Sequence, residues 1–402
     1  MEKYYELDTA SVINYVNGKL DFFAKDAEYE CLEIGDGNLN LVFRVNDKKN
    51  DKSLIVKQSL PYVRAAGEDW PLDIGRGEIE SRILQIEYKL TNGLVPEIYL
   101  YDGDMCCMVM EDLSDYKIMR YGLIEHEIYP NFVEQIADFM VKTLLLTSDV
   151  VMEHKEKKDY VKSFINPELC EITEDLVYTE PFNIGARNDM EENLVEFHKK
   201  NIVDDPKLAI EAAKLKFDFM NNAQALLHGD LHTGSIFVNK EQTKVIDPEF
   251  AFYGPIAYDI GALVANLIMN YLSSFYGMQE GPEKEKYCSW MLKTIKDTVD
   301  VTKTKFLSEW DDVVTDKMAK KEGYKEFWVD DVFINTAGVS GCEMTRRTVG
   351  FAHVKDLDGM TDAKARYKAK TTNLLMAKEL IINRADYTNG QKYLDLIGKY
   401  CK

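Results

Sequence analysis

The sequence predicts an α+β fold of two lobes: a small antiparallel β-rich N-terminal lobe with one long helix, and a large, mostly helical C-terminal lobe. Strand patterns dominate the first 112 residues, and helical periodicity dominates after them. At 402 residues the chain is also too long for one compact core. We therefore expect an N-terminal lobe of residues 1–112 and a C-terminal lobe of residues 113–402.

Short apolar segments bounded by Gly, Asn or charged residues predict the strands of the first lobe. These segments are 32–34, 41–45, 54–57, 97–102 and 104–112. A helical stretch at 9–24 precedes them, and Asp102-Gly103 would form a tight turn between the last two. The long helix lies between the third and fourth strands, where apolar residues recur at spacings of 4, 3 and 4: Ile79, Ile83, Ile86 and Leu90.

Helical periodicity accounts for most of the C-terminal lobe. The segments that show it are 131–148, 207–227, 256–276, 283–306, 331–353 and 360–386. No repeat, low-complexity tract or flexible linker interrupts the chain.

The charge of the chain limits its partners. With 49 basic and 69 acidic residues, the net charge of −20 disfavours binding to nucleic acid or to an anionic membrane surface. It would also repel a nucleoside triphosphate. If ATP binds, its phosphates must be met by local cations, namely lysine, arginine and Mg²⁺.

Cysteine usage and the absence of apolar runs predict a cytoplasmic protein. The 7 cysteines are odd in number and lack any CxxC spacing, so we expect reduced thiols and no structural zinc. The N-terminal residues do not resemble a signal peptide, and no run of about 18 apolar residues predicts a membrane span.

The most informative segment is the loop 228–235, with the sequence HGDLHTGS, which precedes an acidic pair at Asp247 and Glu249. Phosphoryl transfer needs a carboxylate near the attacking hydroxyl and oxygen ligands for Mg²⁺. Asp230 on the loop could be the first, and the acidic pair could be the second. An acidic pair is common in so acidic a chain, but two short strands and a polar turn between loop and pair favour this interpretation.

The same loop allows a different chemistry. His228, Asp230 and His232 would share one face of an extended segment, which resembles the ligand cluster of a metal hydrolase. A hydrolase of that kind needs further His or Cys ligands, and none of the remaining histidines has a ligand-like spacing.

The N-terminal lobe carries candidates for phosphate binding. Gly35, Gly37 and Asn40 lie in a loop between two strands, where backbone or the Asn amide could meet phosphates, although a hairpin turn explains the glycines equally well. Lys57 lies in an apolar strand, where the alternative is an edge-strand lysine. Glu80 on the following helix could pair with Lys57.

Two further charged features lie in apolar helices. Asp259 begins one of them and could be only an acidic first-turn residue. Arg346 and Arg347 lie in another, where adjacent side chains diverge by about 100°. Both would reach one ligand only if it lay between them, and the alternative is one surface arginine and one structural ion pair.

The order of these parts resembles the protein-kinase-like fold, and the loop is closer to the aminoglycoside and choline kinase branch than to kinases acting on proteins. Two departures from the usual pattern, Ser235 and Asp247-Pro248-Glu249, are similar to the methylthioribose kinase family. So are the strings EIGDGNLN at 33–40, VMEDLS at 109–114, HGDLHTGSIF at 228–237, VIDPEFAFYGPI at 245–256 and GCEMTRRTVGFAHV at 341–354.

The resemblance implies a role for each candidate. Asn40 and Lys57 would contact ATP phosphates, and Asp247 and Glu249 would hold Mg²⁺. Asp230 would meet the sugar. The backbone contacts to adenine would come from Glu111, Asp112 and Leu113, and the sugar site would be lined by Arg346 and Arg347. Segment 61–70 resembles the family's mobile loop, and the family suggests a homodimer.

The activity implied is transfer of the γ-phosphoryl group of ATP to the anomeric hydroxyl of 5-methylthioribose, in methionine salvage. A kinase of the same fold acting on choline, homoserine or an aminoglycoside is the first alternative. A nucleotide sensor without catalysis and the metal hydrolase are the others; a sensor should have lost Asp230, Asp247 or Glu249, and the sequence keeps all three.

Overall fold

The computed structural model describes residues 4–34, 40–63 and 67–401, with the backbone alone at 63 and 67–70. They form two compact units. The first comprises Met1–Tyr116 with Lys244–Ala251, and the second Lys117–Thr243 with Phe252–Lys402. The segment of Asp247 and Glu249 therefore groups with the N-terminal residues, whereas the sequence analysis placed it in the C-terminal lobe.

The first unit is built on an antiparallel sheet in the order β1-β2-β3-β7-β6. Its strands are β1 Tyr29–Glu33, β2 Asn40–Asp47, β3 Lys52–Ser59, β6 Ile98–Asp102 and β7 Cys107–Glu111, with a short pair β4 Tyr62–Val63 and β5 Gly67–Pro71. Its helices are α1 Ser11–Lys19 and α2 Arg76–Thr91. The core includes Val12, Val16, Phe43, Val45, Leu54, Val56 and Val109.

The position of β3 explains why it can bury a lysine. β3 lies between β2 and β7, and every residue from Leu54 to Ser59 is buried. The alternative that Lys57 lies on an edge strand is therefore wrong.

Two details of the first unit correct the sequence analysis. The predicted tight turn at Asp102-Gly103 is longer, because Asp102 pairs with Cys107 and Cys106 takes a left-handed φ of 46°. Of the predicted apolar stripe on α2, only Ile83 is buried. The buried face of α2 is instead largely polar: Arg76, Glu80, Ser81, Glu87 and Thr91.

The second unit is mostly helical. Its helices are α3 Met119–Ile124, α4 Phe132–Leu146, α5 His154–Ser163, α6 Pro167–Leu176, α7 Glu192–His198, α8 Pro206–Asn221, α9 Ala257–Gly277, α10 Pro282–Val313, α11 Tyr324–Val349, α12 Lys355–Asp358, α13 Ala363–Ile382 and α14 Gly390–Tyr400. Its strands are β8 Lys117–Ile118, β9 Ala225–Leu227, β10 Ile236–Val238 and β12 Phe252–Gly254. The strand β11, Thr243–Val245, spans the boundary of the two units.

The predicted α+β class is confirmed, with differences in element bounds. The helix predicted at 207–227 ends at Asn221, and its last three residues form β9. The helix predicted at 331–353 begins earlier, at Tyr324, and ends at Val349. Across the described residues, no helix is both long enough and apolar enough to cross a membrane.

A close contact between α9 and α11 positions the functional residues of the second unit. A Cβ atom on Gly261 of α9 would lie 2.7 Å from the Val339 side chain of α11, so only glycine permits this approach. The Ser340 hydroxyl donates to the Gly261 carbonyl oxygen at 2.9 Å. The start of α9, with Asp259, and the end of α11, with the arginine pair, are thereby fixed against one another.

Candidate active site

A lysine cluster forms in the first unit around Lys57, with Glu80, Asp247, Glu249, Arg76 and Asn40. The Lys57 ammonium group donates to Glu80 Oε1 at 2.7 Å and contacts the Asp247 carboxylate. Lys57 and Glu80 are almost fully buried, whereas the Asp247 side chain remains 44% exposed. The predicted pairing of Lys57 with Glu80 is therefore present in the structure.

Burial and charge act against each other in this cluster. Burial alone would lower the pKa of Lys57, but the carboxylates of Asp247, Glu80 and Glu249 raise it above its ordinary value. Burial raises the pKa of Glu80, although the charge of Lys57 acts in the opposite direction. The cluster combines two cationic side chains, Lys57 and Arg76, with three carboxylates. It can therefore accept an additional positive charge.

Glu249 is held by two residues of the first unit. The Asn40 amide donates to Glu249 Oε2 at 3.2 Å, and Arg76 Nε lies 3.4 Å from the same oxygen. Arg76 Nη2 also donates to Asn40 Oδ1 at 2.9 Å. Burial raises the pKa of Glu249, while Lys57 and Arg76 act in the opposite direction. Glu249 is thus fixed before any ligand arrives.

Sequence reasoning missed Arg76, although a signal was present. Arg76 is the first residue of α2, where the helix dipole disfavours a positive charge. It lies one turn before Glu80, so both side chains fall on the same buried face. An arginine in that unfavourable place indicates a partner elsewhere in the fold.

Asp247 has an unusual backbone. Its φ of 69° lies in the left-handed region, which costs a residue other than glycine about 1–3 kcal/mol. Asp247 precedes Pro248, and this conformation turns the chain between β11 and the short segment that carries Glu249. Such strain is characteristic of functional positions, where the surrounding structure imposes it.

The remaining predicted nucleotide residues also lie in the first unit. Glu111 ends β7, and its backbone N–H donates to the carbonyl oxygen of Glu97, the residue before β6, at 2.9 Å, so that N–H group already has a partner. Asp112 and Leu113 follow it. Their contact with adenine stays a prediction. The loop carrying Gly35 and Gly37 lies outside the described residues.

In the second unit, Asp259 braces the loop that carries Asp230. The two carboxylate oxygens of Asp259 accept hydrogen bonds from the backbone N–H groups of His228, at 2.7 Å, and Gly229, at 3.0 Å. Gly229 takes a φ of 81°, which favours glycine. Burial raises the pKa of Asp259 to about 7. Asp259 is therefore more than a first-turn residue, because it holds a turn of the loop.

An arginine cluster surrounds Asp230; its other members are Arg346, Arg347, Glu343, Arg120 and Asp356. The Nη2 atoms of Arg346 and Arg347 each lie 3.7 Å from Asp230 Oδ1, and His232 Nε2 lies 3.4 Å from Oδ2. Burial alone would raise the pKa of Asp230, but His232 and the two arginines lower it well below its ordinary value.

Glu343 explains why adjacent arginines reach one carboxylate. Arg346 Nε donates to Glu343 Oε2 at 2.6 Å, and Arg347 Nε donates to Glu343 Oε1 at 2.7 Å. Glu343 lies three and four residues before them on α11, and both spacings bring side chains together. Burial opposes ionisation of Glu343, yet the two arginines lower its pKa to about 2. The sequence alternative of a surface arginine is wrong, because both are buried.

Arg120 brings a third cation to this cluster. Its Nη2 donates to Asn266 Oδ1 at 3.1 Å, and its Nε lies 3.7 Å from Asp356 Oδ2. Three arginines thus face three buried or partly buried carboxylates. Sequence reasoning missed Glu343 and Arg120; the spacing of Glu343 was a usable signal, whereas Arg120 is more than 100 residues from its loop partner Thr233.

The metal-hydrolase interpretation is not supported. Within the part of the chain that the structure describes, no three His, Cys, Asp or Glu side chains are placed to hold a metal ion. His228 Nδ1 accepts the backbone N–H of Asp230 at 3.2 Å, and His232 Nδ1 accepts those of Gly234 and Ser235. The segment is a turn and not an extended strand, so the expected shared face does not form.

The two clusters supply complementary chemistry. The lysine cluster offers carboxylate oxygens for a hard cation and positive groups for phosphate. The arginine cluster offers a carboxylate that can accept a proton, beside guanidinium groups that stabilise negative charge.

Comparison with known proteins gives consistent results. A sequence model of the phosphotransferase enzyme family matches residues 30–281. A methylthioribose kinase of a Geobacillus species is 44% identical over 381 residues, covering 95% of this chain and 93% of that protein. A methylthioribose kinase of Bacillus velezensis is 42% identical over 391 residues, covering 97% and 96% of the two chains.

Among solved structures, an ethanolamine kinase of Plasmodium vivax is similar with a TM-score of 0.48 and 16% identity, covering 94% of this chain and 91% of that one.

Proposed function

Because this chain belongs to the methylthioribose kinase family, we propose that it transfers the γ-phosphoryl group of ATP to the anomeric hydroxyl of 5-methylthioribose, giving 5-methylthioribose 1-phosphate in methionine salvage. The choice of 5-methylthioribose as the sugar rests on its relatives, which are methylthioribose kinases. The observation that carries the chemistry is the convergence of Arg346, Arg347 and His232 on the carboxylate of Asp230.

Asp230 is the proposed base. It orients the anomeric hydroxyl and accepts its proton as the oxygen attacks the γ-phosphorus. The lowered pKa of Asp230 makes it a weak base. An anomeric hydroxyl is more acidic than an ordinary alcohol, because the ring oxygen withdraws electrons, so a weak base suffices.

The carboxylates of Asp247 and Glu249 fit Mg²⁺. Two oxygen donors from protein are what this ion commonly takes when phosphate oxygens and waters complete its octahedral set. Bound there, Mg²⁺ would neutralise charge on the phosphates of ATP. Mg²⁺ on Asp247 would then make Lys57, which pairs with Asp247, available to the phosphates, while Asn40 and Arg76 keep Glu249 in place.

We also propose a cytoplasmic location and a homodimer. The seven cysteines are free thiols, which is in keeping with a reducing compartment. The homodimer rests on the family resemblance alone, and sedimentation velocity of the purified chain would test it.

Release of ADP tests the substrate. The purified protein is assayed with ATP and Mg²⁺ against 5-methylthioribose, choline, homoserine and an aminoglycoside in turn. We expect turnover with 5-methylthioribose and little above background with the others. Turnover with one of the other alcohols, and none with 5-methylthioribose, would establish a different kinase of this fold.

Glu249→Gln should raise the Mg²⁺ concentration needed for half-maximal rate, because a neutral amide oxygen binds a hard cation less well than a carboxylate. A titration of the rate with Mg²⁺ at fixed ATP measures this shift. Glu30→Gln on β1 is the matched control, since that carboxylate is 40% exposed and pairs with Lys48. An unchanged titration for Glu249→Gln would leave Asp247 as the only metal ligand.

Arg346→Lys and Arg347→Lys should each lower kcat by about tenfold or more while KM for ATP changes little. Lysine keeps the positive charge but lacks the planar guanidinium group with its paired N–H donors. Both guanidinium groups lie at the same distance from Asp230 Oδ1, so we expect similar losses. Steady-state kinetics of the two variants tests this. If both keep kcat within about threefold, under 1 kcal/mol of barrier, the arginines do not act in catalysis.

A further inference from the structure

The two ring nitrogens of His232 have different partners. Nδ1 accepts the backbone N–H groups of Gly234 and Ser235, each at 3.1 Å. A ring nitrogen that accepts N–H donors carries no proton of its own, and a neutral imidazole has its one proton on the other nitrogen. The hydrogen bonds of the loop therefore assign the proton of His232 to Nε2.

That proton faces the proposed base. His232 Nε2 lies 3.4 Å from Asp230 Oδ2, a distance that can shorten when substrate binds. The other carboxylate oxygen, Oδ1, lies on the side of Arg346 and Arg347. Each oxygen of Asp230 thus has its own neighbours, and the plane of the carboxylate is defined by groups on both sides.

The surroundings of His232 favour its neutral form. Burial lowers the pKa of His232, and the charges of Arg120 and Arg347 lower it further, while Asp230 acts in the opposite direction. The ring is also tightly enclosed. A Cβ atom on Gly234 would lie 2.9 Å from His232 Cε1 and 2.9 Å from Arg120 Nη1, so a larger residue there would displace these side chains.

We propose that His232 is a positioning residue, whose Nε2–H holds Asp230 Oδ2 so that Oδ1 is the oxygen that accepts the proton of the sugar hydroxyl. This inference rests on the proposed kinase activity. In the step itself the O–H bond of the sugar breaks, and its proton passes to Oδ1. The hydroxyl oxygen forms a bond to the γ-phosphorus, and ADP leaves with the electron pair of the broken P–O bond.

Two substitutions separate positioning from a merely structural role. In His232→Asn, the side-chain oxygen can replace Nδ1 as acceptor for the loop N–H groups, but no donor reaches Asp230. In His232→Gln, the longer amide can donate to Asp230, but the loop N–H groups lose their acceptor. Positioning predicts that the Asn variant loses more activity, and loop stabilisation alone predicts that the Gln variant does.

We expect His232→Asn to lower kcat tenfold or more, with KM for ATP and the melting temperature near those of the unaltered protein. His232→Gln should keep more of kcat while melting at a lower temperature. His154→Gln, which changes a histidine whose side chain is 78% exposed, is the control for loss of an imidazole. The proposal is wrong if His232→Asn keeps kcat within threefold, or if the order of kcat for the two variants is reversed. If the unaltered protein does not phosphorylate 5-methylthioribose, it is the proposed function that fails.

Discussion

Asp230→Asn should lower kcat by roughly 10² or more while leaving the affinity for ATP nearly unchanged. The amide cannot accept the proton of the sugar hydroxyl. Its NH₂ group would also face a donor on either side, because His232 approaches one carboxylate oxygen and the arginine pair approaches the other. Steady-state kinetics with 5-methylthioribose measures the loss, and calorimetry with a non-hydrolysable ATP analogue measures the affinity.

A matched control for this variant is Asp312→Asn, which removes an exposed carboxylate of the same unit. Its kcat should equal that of the unaltered protein. Near-normal turnover of Asp230→Asn, within about threefold, would correspond to under 1 kcal/mol of barrier and would remove Asp230 from the mechanism.

Glu343→Gln should destabilise the second unit by about 3–5 kcal/mol, because it leaves buried arginines without their counter-charge. A glutamine can accept from one of Arg346 and Arg347, but its NH₂ group then opposes the N–H of the other. Chemical denaturation followed by tryptophan fluorescence reports on this unit, since Trp290, Trp310 and Trp328 all lie in it. Asp331→Asn, an exposed carboxylate on the same helix, should change stability by a few tenths of a kcal/mol at most.

The pH dependence of the free energy of unfolding tests the same explanation. The pKa of Glu343 is lowered to about 2 in the folded chain, so the unfolded chain binds its proton first as the pH falls. The stability that Glu343 contributes is therefore complete above its ordinary pKa and is lost as the pH falls toward 2. The difference between the unaltered protein and Glu343→Gln should be constant near neutral pH and should shrink in acid. A difference that grows in acid would contradict the ion-pair explanation.

The sequence predicted the class of fold because local patterns carry it. The sequence changes from strand patterns to helical periodicity near residue 112, and the structure shows the same change. The polar face of α2 could not be read in the same way. Ile79 and its apolar neighbours suggested the wrong buried side for the helix. The pairing of Glu80 with Lys57 was predicted from their residue types, but apolar periodicity does not show that this pair turns the polar side of α2 inward.

In the candidate site, too, contacts between residues close in sequence were predictable, whereas contacts between distant residues were not. The spacing of Glu343 to Arg346 and Arg347 is visible on one helix, so their convergence could have been predicted from the sequence. The contact of Arg76 with Glu249 joins residues far apart in the chain, and only the fold brings them together. The proton on His232 Nε2 depends on the geometry of a turn, which residue types alone do not fix.

The balance of charge around Asp230 bears on how the product leaves. Three arginines face three carboxylates in the arginine cluster, so a neutral sugar enters without disturbing that balance. Its phosphate ester brings up to about two negative charges. If Asp230 accepts a proton as proposed, only one positive charge of the cluster is left uncompensated to meet them. The net charge of −20 on the chain repels the same ester. We therefore expect the accumulated sugar phosphate to inhibit the reaction only weakly.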